Sequence, residues 1–177
     1  MKSEVLYEEF LRITAELQQQ LKITPVLYGS LGLERATEMW FAPQDIDILV
    51  PERYIREDWT MLQEVMEGVG YVLTDLHEHK FKKSDLSESE KSSLSQHDYY
   101  EVGFAYEEDL LPFAGISPEE LKVIADGPAP YRLLSAQQYL EVYNRSSQDS
   151  YRRDKNNDKD LDKIERIQSW IHENNHN

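Results

Sequence analysis

The chain has 177 residues, of which 40% are apolar and 30% charged, a composition typical of one globular domain or of a domain with a small helical extension. Its formal net charge of −15 disfavours nucleic acid and anionic membranes as partners, because like charges repel. The sequence contains no cysteine, which excludes disulfides, thiolate metal sites and a cysteine nucleophile, so a metal ion would need oxygen or imidazole ligands.

The sequence also predicts a cytoplasmic protein without a membrane partner. No run of residues approaches the roughly 20 apolar positions that a membrane-spanning helix needs. The first ten residues carry acids where a signal peptide would carry a basic and then an apolar segment.

The first half of the chain alternates helical and strand patterns. Apolar residues three and four apart predict helices, and alternating or β-rich runs predict strands. In chain order these are a helix over 3–22, a strand over 24–28 that ends at Gly29-Ser30, a strand over 45–50, a helix over 59–69 and a strand over 71–74. Residues 34–44 have no regular pattern, so we expect an irregular stretch there.

The second half predicts fewer strands and a helical end. Residues 82–96, rich in serine and charge, indicate a mobile excursion between two paired strands, the second over 99–105. Ser117 and Glu120 have capping-box spacing and predict a single helical turn, while Ser135 and Gln138 predict a longer helix. A last helix is expected from about residue 157. We therefore expect an α/β domain over 1–134 and a C-terminal helical lobe over 135–177.

Asp45 and Asp47 are the sharpest candidates for chemistry. Residues two apart on a strand point to the same face, so both carboxylates project together while Ile46 and Ile48 point into the core. Two adjacent like charges repel unless a cation lies between them. A metal-binding pair and an acidic solvent face of an edge strand both fit this pattern.

Gly29 and Ser30 stand at the end of the preceding strand. A glycine lets backbone amides approach a ligand and a serine adds a hydroxyl, which together suit a phosphate chain held at the start of a helix. An ordinary turn is the alternative. Phosphates on one side and metal-binding acids on the other would make a nucleotide site.

These motifs resemble those of the DNA polymerase β-like nucleotidyltransferase superfamily, in particular its small bacterial members related to antibiotic nucleotidyltransferases. The resemblance lies in VLYGS, a spacer of fourteen residues (31–44) and DIDILV. GYVLTDLHEHKF looks like the family's third strand, and YRRDKNNDKDLDKI looks like its C-terminal helix. The fold that this implies is α/β (α+β), with a mixed β-sheet, helices on one face and a C-terminal helical lobe.

The resemblance further implies two metal ions, Mg²⁺ or Mn²⁺, held by Asp45, Asp47 and a third acid from a later strand. Glu101 best matches that position, with Asp98 as the alternative. The third acid would activate an acceptor hydroxyl while the metals stabilise the attacked α-phosphate and the leaving pyrophosphate. The family usually has aspartate where this chain has Glu101, which leaves altered chemistry or a lost metal site open.

Other polar and aromatic residues have two interpretations each. Lys159, which matches the family's tail motif, would bind the NTP with Gly29 and Ser30, or lie on a solvated helix. His77 and His79 indicate a metal pair or, more simply, a surface hairpin. Trp40 and Phe41 would wall an acceptor pocket or anchor the loop before Asp45.

The predicted activity is metal-dependent transfer of a nucleoside monophosphate from an NTP to a hydroxyl of a small molecule or a protein. One alternative is a catalytically inactive protein of this fold that binds a nucleotide or a partner, because fold does not fix function. Another is a toxin-like enzyme acting on tRNA, which the net charge disfavours.

Overall fold

One mixed sheet of seven strands organises the protein in its computed structural model, which describes residues 2–84, 99–125, 127–148 and 150–175. The strands are β1 (Val26–Tyr28), β2 (Ile46–Val50), β3 (Val72–Asp75), β4 (Lys80–Ser84), β5 (Tyr99–Tyr106), β6 (Lys122–Ile124) and β7 (Tyr131–Leu133). Their order is β3-β4-β5-β2-β1-β7-β6. The pairs β2–β5 and β1–β7 are parallel, and the other neighbours are antiparallel. The predicted mixed α/β class is confirmed.

Helices flank this sheet and form the end of the chain. In the described residues they are α1 (Lys2–Leu21), α2 (Gly29–Thr37), α3 (Arg53–Arg56), α4 (Trp59–Gly68), α5 (Leu110–Ala114), α6 (Ala136–Gln148) and α7 (Ser150–Asn174). Single 3₁₀ turns lie at Glu107–Asp109 and Pro118–Glu120. None of the helices in these ranges is both long and apolar enough to cross a membrane.

The sheet separates two hydrophobic cores, because successive residues of a strand point to opposite faces. Leu27, Ile48 and Phe81 pack on one face with residues of α1 and α4. Val26 and Leu49 pack on the other face with residues of α6 and α7. The C-terminal helical lobe thus lies against the second face. That face also carries the acid two residues before Leu49, so the lobe stands over the candidate site.

Most predicted elements are confirmed, with bounds that differ by two residues or fewer. They are the helices over 3–22 and 59–69 and the strands over 24–28, 45–50, 71–74 and 99–105. The predicted capping box also forms before α6: the Gln138 amide donates to Ser135 Oγ at 3.1 Å, and the Ser135 amide donates to Gln138 Oε1 at 2.9 Å. After Ser117 the predicted single turn is present as a 3₁₀ turn.

Three predictions need correction. Residues 29–37 form α2 instead of a turn followed by an irregular stretch, and α7 begins at Ser150, before the predicted start. Residues 82–84 belong to β4, because Phe81 is buried between Trp59 and Phe104, with ring centroids 5.6 and 5.8 Å away. The contacts of Phe81 stabilise this strand, which the sequence does not predict because its other residues are polar. The rest of the predicted excursion, 85–98, lies outside the described residues, as does Asp98.

Candidate functional site

Gly29 and Asp47 face each other where β1 passes into α2. In the antiparallel pair β1–β2, Tyr28 is opposite Asp47, so Gly29 follows directly beside this acid. Gly29 has a left-handed φ of +69°, and a Cβ atom built on it would collide with Asp47 Oδ2. A residue with a side chain would be strained here and would also displace the carboxylate. The predicted meeting of the Gly-Ser turn with the acid pair is confirmed.

The amino end of α2 opens toward this acid. No side chain in the described part of the chain forms a capping hydrogen bond there, and the first turn contains no acidic residue. Ser30 Oγ accepts a hydrogen bond from Lys163 Nζ of α7 at 3.2 Å. Backbone N–H groups at a helix start, together with a nearby ammonium, attract anions such as phosphate.

Asp45 and Glu101 lie on the same side of the sheet as Asp47. The parallel pairing of β2 with β5 sets Ile46 beside Val102 and Asp47 beside Gly103. Continuing that register by one residue brings Asp45 alongside Glu101. The predicted third acid therefore lies with the pair, on the strand next to β2.

The pKa values of Asp45 and Asp47 are raised by burial and by the charges of neighbouring acids. Burial, then the charge of Asp45 and, more weakly, that of Glu101, raise the pKa of Asp47 to about 7, while Lys80 and Lys163 oppose the rise. Burial and then the charge of Glu101 also raise the pKa of Asp45. Without a cation, the site accommodates its negative charge by protonation and through these two lysines.

Lys80 of β4 forms an ion pair with Glu101, with 3.8 Å between Lys80 Nζ and Glu101 Oε1. Within the described ranges no three His, Asp or Glu side chains come together closely enough to hold a metal ion. The three acids thus share one face and influence one another, but they do not form a closed set of three ligands. An ammonium pairs with one of them instead.

A pocket of about 450 Å³ opens over Gly29, Asp47 and Lys80, between the sheet and the C-terminal lobe, and Asp45 and Glu101 do not line it. Its polar side chains include those of Ser30, Asp47, Glu78, Lys80, Ser146 and Lys163. Apolar and aromatic side chains such as Phe113 and Tyr143 complete the wall. The pocket therefore combines a helix start, a carboxylate and two lysines with an apolar surface, which is a common make-up of small-molecule sites.

Lys163, rather than the predicted Lys159, brings the positive charge of α7 to the pocket. Lys159 is exposed and does not line the pocket, although its spacing places it one helical turn before Lys163. Lys163 is the lysine that reaches Ser30, because only tertiary packing determines which turn of α7 does so.

The loop before Asp45 is held by α7. The Arg166 guanidinium lies 4.0 Å from the centre of the Phe41 ring, and Arg166 Nη2 donates to the Trp40 carbonyl at 2.7 Å. Phe41 is buried in the core beneath the lobe, whereas the Trp40 side chain is 63% exposed. Neither residue lines the pocket, and the contacts with Arg166 support the interpretation that they anchor the loop.

His77 and His79 lie in the hairpin turn between β3 and β4. His79 packs against Trp59, with ring centroids 5.4 Å apart, and His77 is exposed. The prediction of a surface hairpin is confirmed.

The chain has a relative in Bacillus subtilis (strain 168). It is 42% identical over 166 residues to the uncharacterized protein YnaI of Bacillus subtilis (strain 168), covering 94% of this chain and 97% of YnaI. The chain belongs to the YnaI family. No protein-family profile matches it. The YnaI relationship therefore identifies the family without assigning an activity, and the function must be inferred from the site itself.

The raised pKa of Asp47 predicts a pH-dependent stability. The folded protein binds a proton at Asp47 up to about pH 7, whereas the unfolded chain releases it near pH 4. The contribution of Asp47 to the free energy of unfolding is therefore largest below pH 4 and falls as the pH rises toward 7. Because Asp47 faces an open pocket, we expect a loss of about 2 kcal/mol, roughly half of what the full shift would give.

This dependence can be measured by urea unfolding without metal ions between pH 5 and 8. Asp47→Asn should remove most of the decline, and the variant should be the more stable protein at pH 8. Asp109→Asn, which changes an exposed carboxylate in the same way, should leave the decline intact. Equal slopes for wild type and Asp47→Asn would contradict the prediction.

Proposed function

We propose that the protein is a metal-dependent nucleotidyltransferase, which transfers a nucleoside monophosphate from an NTP to a hydroxyl group of a small molecule or a protein. The observation that carries the proposal is the contact between the start of α2 and the acid pair. Gly29 leaves just enough room for the Asp47 carboxylate, beside backbone N–H groups that no side chain of the described residues caps.

That juxtaposition is explained by a ligand that is both anionic and metal-bound. A phosphate at the start of α2 would be repelled by Asp47 unless a divalent cation lay between them. Half-buried carboxylates side by side, with raised pKa values, are groups that such a cation would stabilise in the ionised form. The donor set is all oxygen, as Mg²⁺ and Mn²⁺ prefer.

Asp45 and Asp47, with Glu101, are the residues that would hold Mg²⁺ or Mn²⁺. The cation would supply positive charge to stabilise the attacked phosphate and the leaving group. Gly29, Ser30 and Lys163 would bind the triphosphate through backbone amides, a hydroxyl and an ammonium. Lys159 remains a candidate only for the outer part of the triphosphate, since it is exposed.

Glu101 is the candidate general base. The acceptor oxygen forms a bond to the α-phosphorus while the bond from that phosphorus to the bridging oxygen of the β-phosphate breaks. The hydroxyl proton passes to the Glu101 carboxylate, and pyrophosphate leaves with the bridging oxygen. The net charge of −15 disfavours a nucleic acid acceptor. A cytoplasmic location, where NTPs are available, is part of the proposal.

A nucleotide-binding protein without turnover is the second candidate. The ion pair between Lys80 and Glu101 favours it, because the ammonium lies beside the carboxylate that would have to accept the hydroxyl proton. The experiment that separates the two candidates is a screen of labelled NTPs with Mg²⁺ or Mn²⁺ for pyrophosphate release, across sugar, aminoglycoside, nucleoside and protein acceptors. Pyrophosphate release that depends on an added acceptor supports the nucleotidyltransferase. NTP binding without release supports the binding protein.

Glu101→Gln gives a sharper test once an acceptor is known. The variant should bind NTP within about threefold of wild type, because Asp45 and Asp47 still hold the metal, while turnover falls by about 100-fold or more through loss of the base. NTP affinity and single-turnover rate measure the two effects separately. Glu120→Gln is the matched control, since Glu120 is exposed and does not line the pocket, and it should leave the rate unchanged. Wild-type turnover by Glu101→Gln would remove Glu101 from the mechanism.

A further inference from the structure

Lys80, Gly103 and Asp47 lie in one row across three neighbouring strands. Lys80 of β4 is opposite Gly103 of β5, and Gly103 is opposite Asp47 of β2. All three belong to the sheet face that carries the site. A cation on β4 is thus separated from the central acid by a single strand, and the residue on that strand has no side chain.

Gly103 leaves space between the side chains of Lys80 and Asp47. A Cβ atom built on Gly103 would lie 3.7 Å from Asp47 Oδ1 and 3.8 Å from Lys80 Cγ. A larger side chain at this position would extend between the lysine stem and the carboxylate. Apart from Gly103 and Ala105, the strand is built of larger residues, of which Val102 and Phe104 are buried. Gly103 therefore leaves a passage through which the Lys80 ammonium reaches the acids.

The ammonium of Lys80 lies among the acids. Its Nζ atom is 3.8 Å from Glu101 Oε1, in a pair whose side chains are 41% and 32% exposed, and Lys80 lines the pocket together with Asp47. The neighbouring lysines of β4 do not take this position. Lys82 contacts the Tyr99 ring, with Nζ 6.0 Å from its centre, and Lys83 points to the opposite face, where it pairs with Glu9 at 2.7 Å.

We propose that the Lys80 ammonium takes the place of a second divalent cation between Glu101 and the Asp45–Asp47 pair, so that the site binds one metal ion instead of two. This inference rests on the proposed function. A fixed positive charge beside Glu101 provides part of the charge that a second metal would bring. It also repels a second dication from the same carboxylates. The lack of a three-acid ligand set among the described residues agrees with such a site.

The number of metal ions bound tests the proposal directly. Mn²⁺ alone is titrated into the full chain at pH 8, and free Mn²⁺ is counted by electron paramagnetic resonance. We expect one Mn²⁺ per wild-type chain and two per Lys80→Met chain. Lys80→Arg, which keeps the charge, should bind one. Lys82→Met, the same change two residues along β4, should also bind one. Adding Glu101→Gln to Lys80→Met should return the count to one.

The outcomes separate this inference from the proposed function. Two Mn²⁺ ions on the wild-type chain would overturn the role of Lys80 and leave the nucleotidyltransferase proposal standing. One Mn²⁺ on both wild type and Lys80→Met would likewise overturn it. Binding of no Mn²⁺ by wild type, or binding that persists in Asp45→Asn with Asp47→Asn, would overturn both proposals together.

Discussion

Replacing Asp45 and Asp47 together by asparagine should abolish the stabilisation of the protein by Mg²⁺-NTP. A ligand present at 100 times its dissociation constant stabilises the folded state by about 2.7 kcal/mol, which raises the melting temperature of a domain of this size by roughly 5–10 °C. Asparagine keeps the shape of both side chains but removes the charge that binds the cation. The melting temperature of the double variant should therefore not respond to Mg²⁺-NTP.

Thermal melts of the two proteins with and without Mg²⁺-NTP measure this effect. Asp109→Asn combined with Glu120→Gln is the control, because it removes two exposed carboxylates and so changes the net charge equally. That control should keep the full shift. Without ligand, the Asp45–Asp47 variant should also melt no lower than wild type, since it loses a repulsive pair with raised pKa values. An undiminished shift in the double variant would exclude these residues from the nucleotide site.

The acid face of the site could be predicted because local geometry determines it. Strand alternation places Asp45 and Asp47 on one side and Ile46 in the core, where it is fully buried. The same rule places Glu101 and Gly103 on one face of β5. A shift of one residue would bury the carboxylates and expose the isoleucine, so the sequence leaves little choice of register.

The cations of the site could not be predicted in this way, because each reaches it through tertiary packing. Lys163 is 133 residues from Ser30 in the chain, and only the docking of α7 selects it over Lys159. Lys80 lies on β4, a strand that the sequence does not predict because most of its residues are polar. Two local signals were nevertheless present: the alternation of Lys80, Phe81 and Lys82, and a glycine among the bulky residues of β5. Together they indicate a strand with a lysine facing an open position.

The helix that begins at Gly29 illustrates a different limit. Its sequence, GSLGLERAT, contains two glycines, each of which lowers helix propensity by about 1 kcal/mol relative to alanine. Packing outweighs this cost, because Leu31 and Leu33 are buried in the two cores on either side of the sheet. A helix stabilised by tertiary contacts is not visible in local propensity. A helix that starts at Gly29 therefore takes the place of the predicted turn and irregular stretch.

Gly29→Ala should reduce NTP binding by more than tenfold and should destabilise the protein. Two effects combine at this position. An alanine at a φ of +69° is strained by about 1–2 kcal/mol. In addition, its methyl group collides with Asp47 Oδ2, so either Asp47 turns away or the start of α2 moves. Both responses separate the metal-binding acid from the backbone amides that would hold phosphate.

Gly115→Ala shows the backbone strain without the collision, because Gly115 has a similar φ of +72° but no atom within 4 Å of a built Cβ. We expect it to lose about 1 kcal/mol of stability through backbone strain alone and to bind NTP like wild type. Urea unfolding and NTP titration of both variants therefore distinguish strain from collision. If Gly29→Ala binds NTP as tightly as Gly115→Ala, the turn at Gly29 is structural. The contact between α2 and Asp47 would then be a feature of packing and not of a phosphate site, because a binding surface cannot tolerate a methyl group at its point of closest approach.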